Sequence, residues 1–519
     1  LNIGTTFFVV FPVNLQIPAD SVPIGYSALV DRYALRVIPH HRWSFVATKG
    51  MPRELNDGRV VLRSGFADPS AMTEVDHLTF SLKHDGVNLE ILAAVFGAIG
   101  DRAHFDAQLV AALQETPNGI YLRRLWFFYE WLTDHTVAMD PMKGRSIPLL
   151  DEDEYVTGPE HLSARHRIKN NLLGTRAFCP MVRRTDALKA CDPARLRQSL
   201  DDLIAKYDQA VLLRAIAYLY TKETMSSFAI EHERPSKSRA QRFVQLLHRV
   251  QDLDPWGEQA LAGLQGQIVD ARYAESSYRG VQNYVGQSVS LARQQVHFVP
   301  PKPEDVRGLM GGLIETAKAL MASQVDAVVV AACLSFGFVF IHPFVDGNGR
   351  IHRLLIHHIL AQRGVTPRDV VAPVSAVMLA DRAGYDAVLE SFSKPLDPLL
   401  DYEVSEQGDL TVKGDTARHY RYLDFTSMAE ALYRWLERAI NQDLLEELDF
   451  LVGVERARET MREVVDLPDR EADMFIKLCL QNGGKLSLTK RKSQFSLLSD
   501  EEIGRLEVAV RDNMPERTI

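Results

Sequence analysis

The stretch His342-Pro343-Phe344-Val345-Asp346-Gly347-Asn348-Gly349-Arg350-Ile351-His352-Arg353 places an imidazole, a carboxylate, two glycines around an Asn and two Arg in one short run. Its flanks show what it is built on. Upstream, 326–340 (DAVVVAACLSFGFVF) is almost wholly apolar and long enough for a buried helix. Pro343 cannot continue a helix and biases His342 towards an extended backbone, so the helix is expected to stop there. Downstream, 353–360 (RLLIHHIL) carries apolar residues at helical spacing, with a stop signal in Gly364 and Pro367. The segment reads as helix, short loop, helix, with 346–349 at the start of the second helix.

That position has consequences. A helix N-terminus exposes unpaired N–H groups and a partial positive charge, which suit phosphate oxygens. Gly347 and Gly349 permit unusual backbone angles and close approach of the main chain to a ligand. Arg350 and Arg353 lie three apart, so they share a helical face and can hold successive phosphates. Asp346 offers the hard oxygen that Mg²⁺ prefers. His342 has the chemistry of a proton acceptor near neutral pH. Phe344, among polar neighbours, is expected to point into the core. Taken singly, each residue has an ordinary explanation: a turn, a solvated Arg, a core histidine. Jointly these explanations fail, because a turn has no need of a base, an acid, two glycines and an Arg pair in this order.

The run resembles the signature of the Fic family, His-Pro-Phe-x-Asp/Glu-Gly-Asn-Gly-Arg-x-x-Arg, and matches it at every defined position. The resemblance implies transfer of AMP from ATP to a hydroxyl side chain of a target protein, with release of pyrophosphate. It makes His342 the base that deprotonates the attacking Ser, Thr or Tyr. Asp346 would hold Mg²⁺ between the α- and β-phosphates. Gly347, Asn348 and Gly349 would form the anion nest, with the Asn348 side chain at the α-phosphate. Arg350 would meet the β-phosphate and Arg353 the γ-phosphate. The related Doc-type kinases carry Lys where this chain has Gly349, which favours nucleotidyl transfer here. Alternatives are another donor on the same site (a different nucleotide or phosphocholine), or a regulatory protein that only binds nucleotide.

Two further segments extend the resemblance. Residues 278–298 (YRGVQNYVGQSVSLARQQVHF), with extended-looking runs at 281–285 and 295–299, resemble the Fic flap. This is a β-hairpin whose edge, here assigned to Val281, Gln282, Asn283 and Tyr284, aligns a target peptide by strand pairing. Residues 226–232 (SSFAIEH) are similar to the family's inhibitory helix motif, with Ser227 and Glu231 at the required spacing and His232 where Gly or Asn is usual. By resemblance Glu231 pairs with Arg353, blocks the productive γ-phosphate position and restrains the enzyme. Inhibited members of the family also remove AMP from targets. Tyr385 is a candidate contact for the base of the nucleotide.

The resemblance covers about residues 210–400, and a chain of 519 residues is too long for one domain. The expected organisation is mainly α and multidomain. It comprises a small α+β region at 1–88, a helical region at 89–205, a Fic-type core with β-hairpin flap and inhibitory helix at 206–402, and a helical domain at 416–519. Short strands are expected at 35–38, 60–62 and 78–82. The aromatic run 121–132 (YLRRLWFFYEWL) is expected to be a core helix face rather than a platform for nucleic-acid bases. Residues 403–415 read as a linker. Beyond it helices are expected at 420–445, 456–465, 469–481 and 500–513. Gly483-Gly484 and a short strand at 486–488 hint at a winged-helix-like appendage that contacts DNA or protein; an all-helical packing domain is the alternative.

A formal net charge of −9 argues against whole-chain affinity for nucleic acid, leaving only local basic runs such as 490–492 or 165–176. Cys179, Cys191, Cys333 and Cys479 are widely spaced without a CxxC pair, which points away from zinc and disulfides and towards the cytoplasm. Residues 1–13 (LNIGTTFFVVFPV) lack a basic leader and are broken by Pro12, so neither a signal peptide nor a membrane partner is expected. A homodimer is left open.

Overall fold

The computed structural model describes residues 16–290, 293–405 and 407–514, so the apolar opening at 1–13 lies outside the described residues. Helices dominate and the sheets are small. The chain divides into two compact units, each assembled from separated stretches. One comprises Leu1–Cys191, Asp252–Arg363 and Arg382–Tyr433, the other Asp192–Gln251, Gly364–Asp381 and Arg434–Ile519.

The first unit opens on a four-stranded sheet in the order Ser21–Pro23, Trp43–Ala47, Arg59–Leu62, Arg53–Glu54. The central pair is parallel, and Trp43–Ala47 is buried along its whole length. Two of the three expected strands are different structures. Residues 35–38 are irregular because the Ile38 N–H donates to the buried carboxylate of Glu90 at 3.0 Å instead of to a neighbouring strand. Residues 78–82 lie within the helix Glu74–His84, nucleated by a capping box in which Thr73 and Asp76 bond each other's backbone N–H. Only 60–62 is strand.

Helices Leu89–Ala98, Arg102–Glu115 and Ile120–Thr133 follow. The aromatic run is core: Phe96, Phe105 and Tyr129 pack edge to face with centroids 4.8 to 6.0 Å apart, and Trp126 and Phe128 are fully buried. Glu130 on the last of these helices ties down the loop-rich segment behind it. It accepts from Trp126 Nε1, the Val137 N–H and Arg165, and pairs with His166 Nε2 at 2.9 Å.

Helices Glu258–Ile268, Pro303–Met321, Ala327–Ile341, Asn348–Gln362 and Arg382–Leu396 form the helical core that carries the signature. Asp326 caps the buried helix by accepting from the N–H groups of Val328 and Val329. Every residue of that helix except Val339 is buried. A Cβ at Gly337 would come within 2.6 Å of Phe178 Cζ, so glycine there lets the 178 segment lie against the helix. That segment pairs in turn with 421–425: Cys179 N–H donates to Arg421 O, Met181 N–H to Leu423 O, and Phe425 N–H to Met181 O. This pairing interrupts the helix expected over 420–445, leaving Ala417–Arg421 and Thr426–Arg438 as separate helices. The expected linker at 403–415 is mostly an antiparallel hairpin, Asp401–Val404 with Leu410–Lys413, held by the buried Leu410 and a 2.6 Å Lys413–Glu403 pair.

The second unit is helical among its described residues. Helix Gln209–Ile230 packs on Val374–Ala380, where the buried Glu223 carboxylate accepts from the N–H and hydroxyl of Ser375. Helices Leu445–Val464, Asp469–Leu480, Leu488–Gln494 and Asp500–Asn513 enclose Ala457, Phe475, Phe495 and Leu506. The strand expected at 486–488 is absent. Leu486 N–H donates to Glu507 Oε1 at 2.8 Å and Ser487 caps the next helix, so the all-helical alternative is the one found. Cys179, Cys333 and Cys479 are buried and Cys191 is half-buried. Among the described residues no helix is long and apolar enough to cross a membrane.

Candidate active site

The buried helix ends where Pro343 requires it to end, but His342 is not extended. It sits in the left-handed region at φ 53 and ψ 59, its N–H donating to Phe338 O at 2.9 Å. A following proline disfavours the right-handed helix but does not choose between the remaining regions. Contacts from elsewhere make the choice. Arg279 is 4% exposed and spreads its guanidinium over three carbonyls: Nε to His342 O at 2.8 Å, Nη1 to Val281 O at 2.9 Å and Nη2 to Pro301 O at 2.5 Å. Its own N–H donates to Pro343 O at 2.8 Å. Burial pulls its pKa down to about 10, still charged at neutral pH. The His342 ring meets Val339 O through Nδ1 at 3.1 Å. A carbonyl only accepts, so Nδ1 carries the proton and the lone pair of the neutral ring lies on Nε2.

The loop beyond is braced at each residue. Phe344 is fully buried, as expected, against Tyr278 and Phe338. Asn348 is 2% exposed and closes a ring with Phe344: Nδ2 donates to Phe344 O at 2.7 Å, and Phe344 N–H donates to Oδ1 at 3.0 Å. The side chain expected at a phosphate is thus engaged in shaping the loop. Val345 N–H donates to Glu275 Oε2 at 2.8 Å, and Gln265 Nε2 donates to Asp346 O at 3.2 Å. Burial raises the pKa of Glu275 against the N–H bonds that lower it. Gly347 has φ 92, and a Cβ there would meet Val269 Cγ1 at 3.0 Å, so torsion and space both call for glycine.

Gly347 caps the helix Asn348–Gln362, with Gly349 in its first turn, so the helix N-terminus lies where the sequence places it. Arg350 and Arg353 are each 1% exposed rather than solvated. Arg350 Nη2 donates to Asp346 Oδ1 at 2.6 Å, and the Gly347 N–H donates to the same oxygen at 2.6 Å. The Asp346 side chain remains 45% exposed. A half-exposed carboxylate with one oxygen engaged by the loop suits Mg²⁺, which takes one or two carboxylates and completes its shell with water and phosphate. Among the described residues no group of three or more His, Cys, Asp or Glu forms a self-sufficient metal cage.

The hairpin before the signature exists, but its strands are Val285–Ser290 and Arg293–Phe298, starting later than the extended run expected over 281–285. Val281, Gln282, Asn283 and Tyr284 precede the first strand. Val281 is 60% exposed, whereas Gln282 Nε2 donates to Pro300 O at 3.1 Å and Asn283 Nδ2 to Phe344 O at 3.1 Å. Asn283 therefore fastens the hairpin base to the signature loop, while Gln282 ties the segment entering the hairpin to the one leaving it. Ser227 is buried in the last turns of helix Gln209–Ile230, and Glu231 follows the helix end, exposed, with its N–H on Phe228 O. His232 takes φ 56, the left-handed turn that a Gly or Asn would otherwise supply. Ser227 and Glu231 belong to the second unit, the signature to the first. Tyr385 is buried on Arg382–Leu396, its ring 6.4 Å from that of His352.

Arg279, Glu275 and Gln265 escape a reading of the sequence by motif. Arg279 left one signal: it is the only charged residue in 276–292 (SSYRGVQNYVGQSVSLA).

Residues 253–360 match the family model described as Fic/DOC family. The protein adenylyltransferase Fic of Drosophila virilis is 40% identical over 78 residues, which is 14% of this chain and 16% of that protein. The protein of the same name from Nematostella vectensis is 38% identical over 69 residues, 13% of this chain and 16% of that one. The chain thus spans 16% of the length of these curated relatives. A Fic family protein from Desulfovibrio desulfuricans G20 aligns over 63% of this chain and 87% of its own, at 20% identity and a TM-score of 0.35. A Fic domain containing signaling protein from Bacteroides thetaiotaomicron covers 48% and 95%, at 19% identity and 0.33. Residues 253–360, which carry the full signature, are a domain of the Fic/DOC family.

Proposed function

We propose that this protein is an adenylyltransferase that moves AMP from ATP to a Ser, Thr or Tyr hydroxyl of a target protein. One observation carries the reading. His342 is held in a single turn with its Nδ1 proton on Val339 O, so Nε2 is the basic atom, and the loop that follows ends at a glycine-capped helix N-terminus beside two buried arginines. In the proposed reaction the hydroxyl oxygen attacks the α-phosphorus and its proton passes to His342 Nε2. The bond from the α-phosphorus to the bridging oxygen breaks and pyrophosphate leaves. Gly347 and Gly349 let the main chain approach the phosphates, and Arg350 and Arg353 supply fixed positive charge there. Asp346 would hold Mg²⁺, which when bound neutralises developing charge on the phosphate oxygens.

The relatives named protein adenylyltransferase Fic support AMP as the transferred group. Glu231 is proposed to restrain Arg353 and hold basal activity low, on the strength of its spacing from Ser227 and its place at an exposed helix end. In the reverse direction Glu231 would orient a water for removal of AMP. Intact-protein mass spectrometry after incubation with ATP and Mg²⁺ tests the set. Glu231→Gly is expected to add AMP to the chain itself. Adding His342→Ala to that variant should reduce the rate by about 10²–10⁴-fold, the usual worth of a positioned base. No mass increase in Glu231→Gly removes the inhibitory role, and labelling at an undiminished rate in His342→Ala removes the base.

A further inference from the structure

We propose that Arg279 is a positioning residue that fixes the orientation of His342 and ties it to the base of the 285–298 hairpin. The inference rests on the reading of His342 as the base. A buried guanidinium normally finds a carboxylate; among the described residues this one donates only to main-chain carbonyls, at His342, Val281 and Pro301. Those carbonyls belong to three places: the left-handed turn that presents the imidazole, the residue entering the hairpin, and the residue leaving it. The Arg279 N–H adds a fourth tie, to Pro343 O. One rigid fork thus sets the spacing between the proton acceptor and the hairpin.

The choice of Arg follows from the geometry. Three carbonyls in different directions require a planar cation with spread donors, which a Lys ammonium on a single stem cannot match. The positive charge also leans on the His342 carbonyl in a region of low exposure, where such a bond is stronger than in water. The left-handed torsion at His342 is unfavourable for a side chain bearing a Cβ and persists only when its surroundings enforce it. Arg279, the Val339 contact to the ring and the bond from the His342 N–H to Phe338 O are among those surroundings. Removing Arg279 should therefore let the 342 turn relax and move the imidazole, without touching the residues that hold the nucleotide.

The test uses the full chain carrying Glu231→Gly, alone and with Arg279→Lys or Arg279→Gln, and has two arms. The first labels histidines with ¹⁵N and assigns the His342 ring by its loss in His342→Ala. The parent form should show the Nδ1–H tautomer, and Arg279→Gln should lose that signature. The second measures auto-AMPylation against ATP concentration. Arg279→Gln should lower kcat about 10²-fold, the cost of misplacing a catalytic group by about 1 Å, with the KM for ATP within about twofold. Arg279→Lys should fall between. An unaltered ring signature with unaltered kcat overturns the proposal, as does a KM for ATP that rises in step with the fall in kcat, since that is the mark of a disturbed nucleotide site rather than a moved imidazole. If Arg279→Gln does not fold, Arg279→Lys carries both arms. A chain that never transfers AMP sinks the proposed function, while the ring spectra still decide whether Arg279 sets the imidazole.

Discussion

Asn348→Ala tests whether the signature Asn acts through the loop. In the structure its amide makes two bonds to Phe344, one to the carbonyl at 2.7 Å and one from the N–H at 3.0 Å, in a place 2% exposed. Truncation does not affect the two ends equally. The Phe344 carbonyl keeps a second donor in Asn283 Nδ2 at 3.1 Å, so it loses an ordinary hydrogen bond, about 0.5–1.5 kcal/mol net. The N–H loses the partner the structure gives it, and an orphaned buried donor costs about 1–3 kcal/mol. Together the loop is expected to loosen by roughly 1.5–4.5 kcal/mol. At 1.4 kcal/mol per factor of ten, local opening becomes about 10- to 1,600-fold more frequent. Hydrogen exchange at the Phe344 amide reads this directly, because local opening is what exposes that proton. Asn283→Ala is the internal comparison: it removes one donor from a carbonyl that retains another, so about 1 kcal/mol and a roughly fivefold change are expected. Exchange at the parent rate in Asn348→Ala would refute the reasoning. So would an Asn283→Ala effect as large, because the inequality between the two ends is the core of the estimate.

Two further outcomes follow from the same style of accounting. Gly347→Ala forces a side chain into φ 92 and to 3.0 Å from Val269 Cγ1; the torsion alone costs about 1–2 kcal/mol, so the melting midpoint of the first unit should drop by roughly 2–6 °C, and an unchanged midpoint would show that the turn re-forms without strain. Glu130 gives a pH signature: burial raises its pKa, but hydrogen bonds from His166, Arg165, the Val137 N–H and Trp126 outweigh this and hold it at about 2 against an ordinary 4.5. A depressed folded-state pKa means stability that is complete above the unfolded value and fades as pH falls through the folded one, so acid unfolding between about pH 4.5 and 2 should flatten in Glu130→Gln; an equally steep curve would assign the acid sensitivity elsewhere.

The parts of this chain that could be read from sequence are those whose cause is local. The helix over 327–341 follows from an unbroken apolar run with Asp326 as its cap, and the helix starting at Asn348 from the glycine before it. The aromatic face at 121–132 shows its burial by its spacing alone. What escaped is set by partners distant in the chain. His342 is left-handed because Arg279, sixty-three positions earlier, grips its carbonyl. Leu78, Phe80 and Leu82 are the exception, misread although the cause is local: their alternation looks like a strand, but the Thr73–Asp76 capping box starts the helix that contains them. Residues 486–488 are denied a strand because the Leu486 N–H is taken by Glu507. Glu275 and Gln265 belong to no motif; they matter because they hold the loop main chain at Val345 and Asp346.

The torsion at His342 has a consequence for how inactive forms of this protein are compared. Alanine there erases the imidazole but keeps the Cβ, so the chain still carries the conformational penalty of the turn while losing the ring contact to Val339 that helped offset it. Glycine would release about 1–2 kcal/mol at the same position. Folding robustness and chemical competence therefore pull in opposite directions at this one residue, and histidine is kept there against the preference of the backbone.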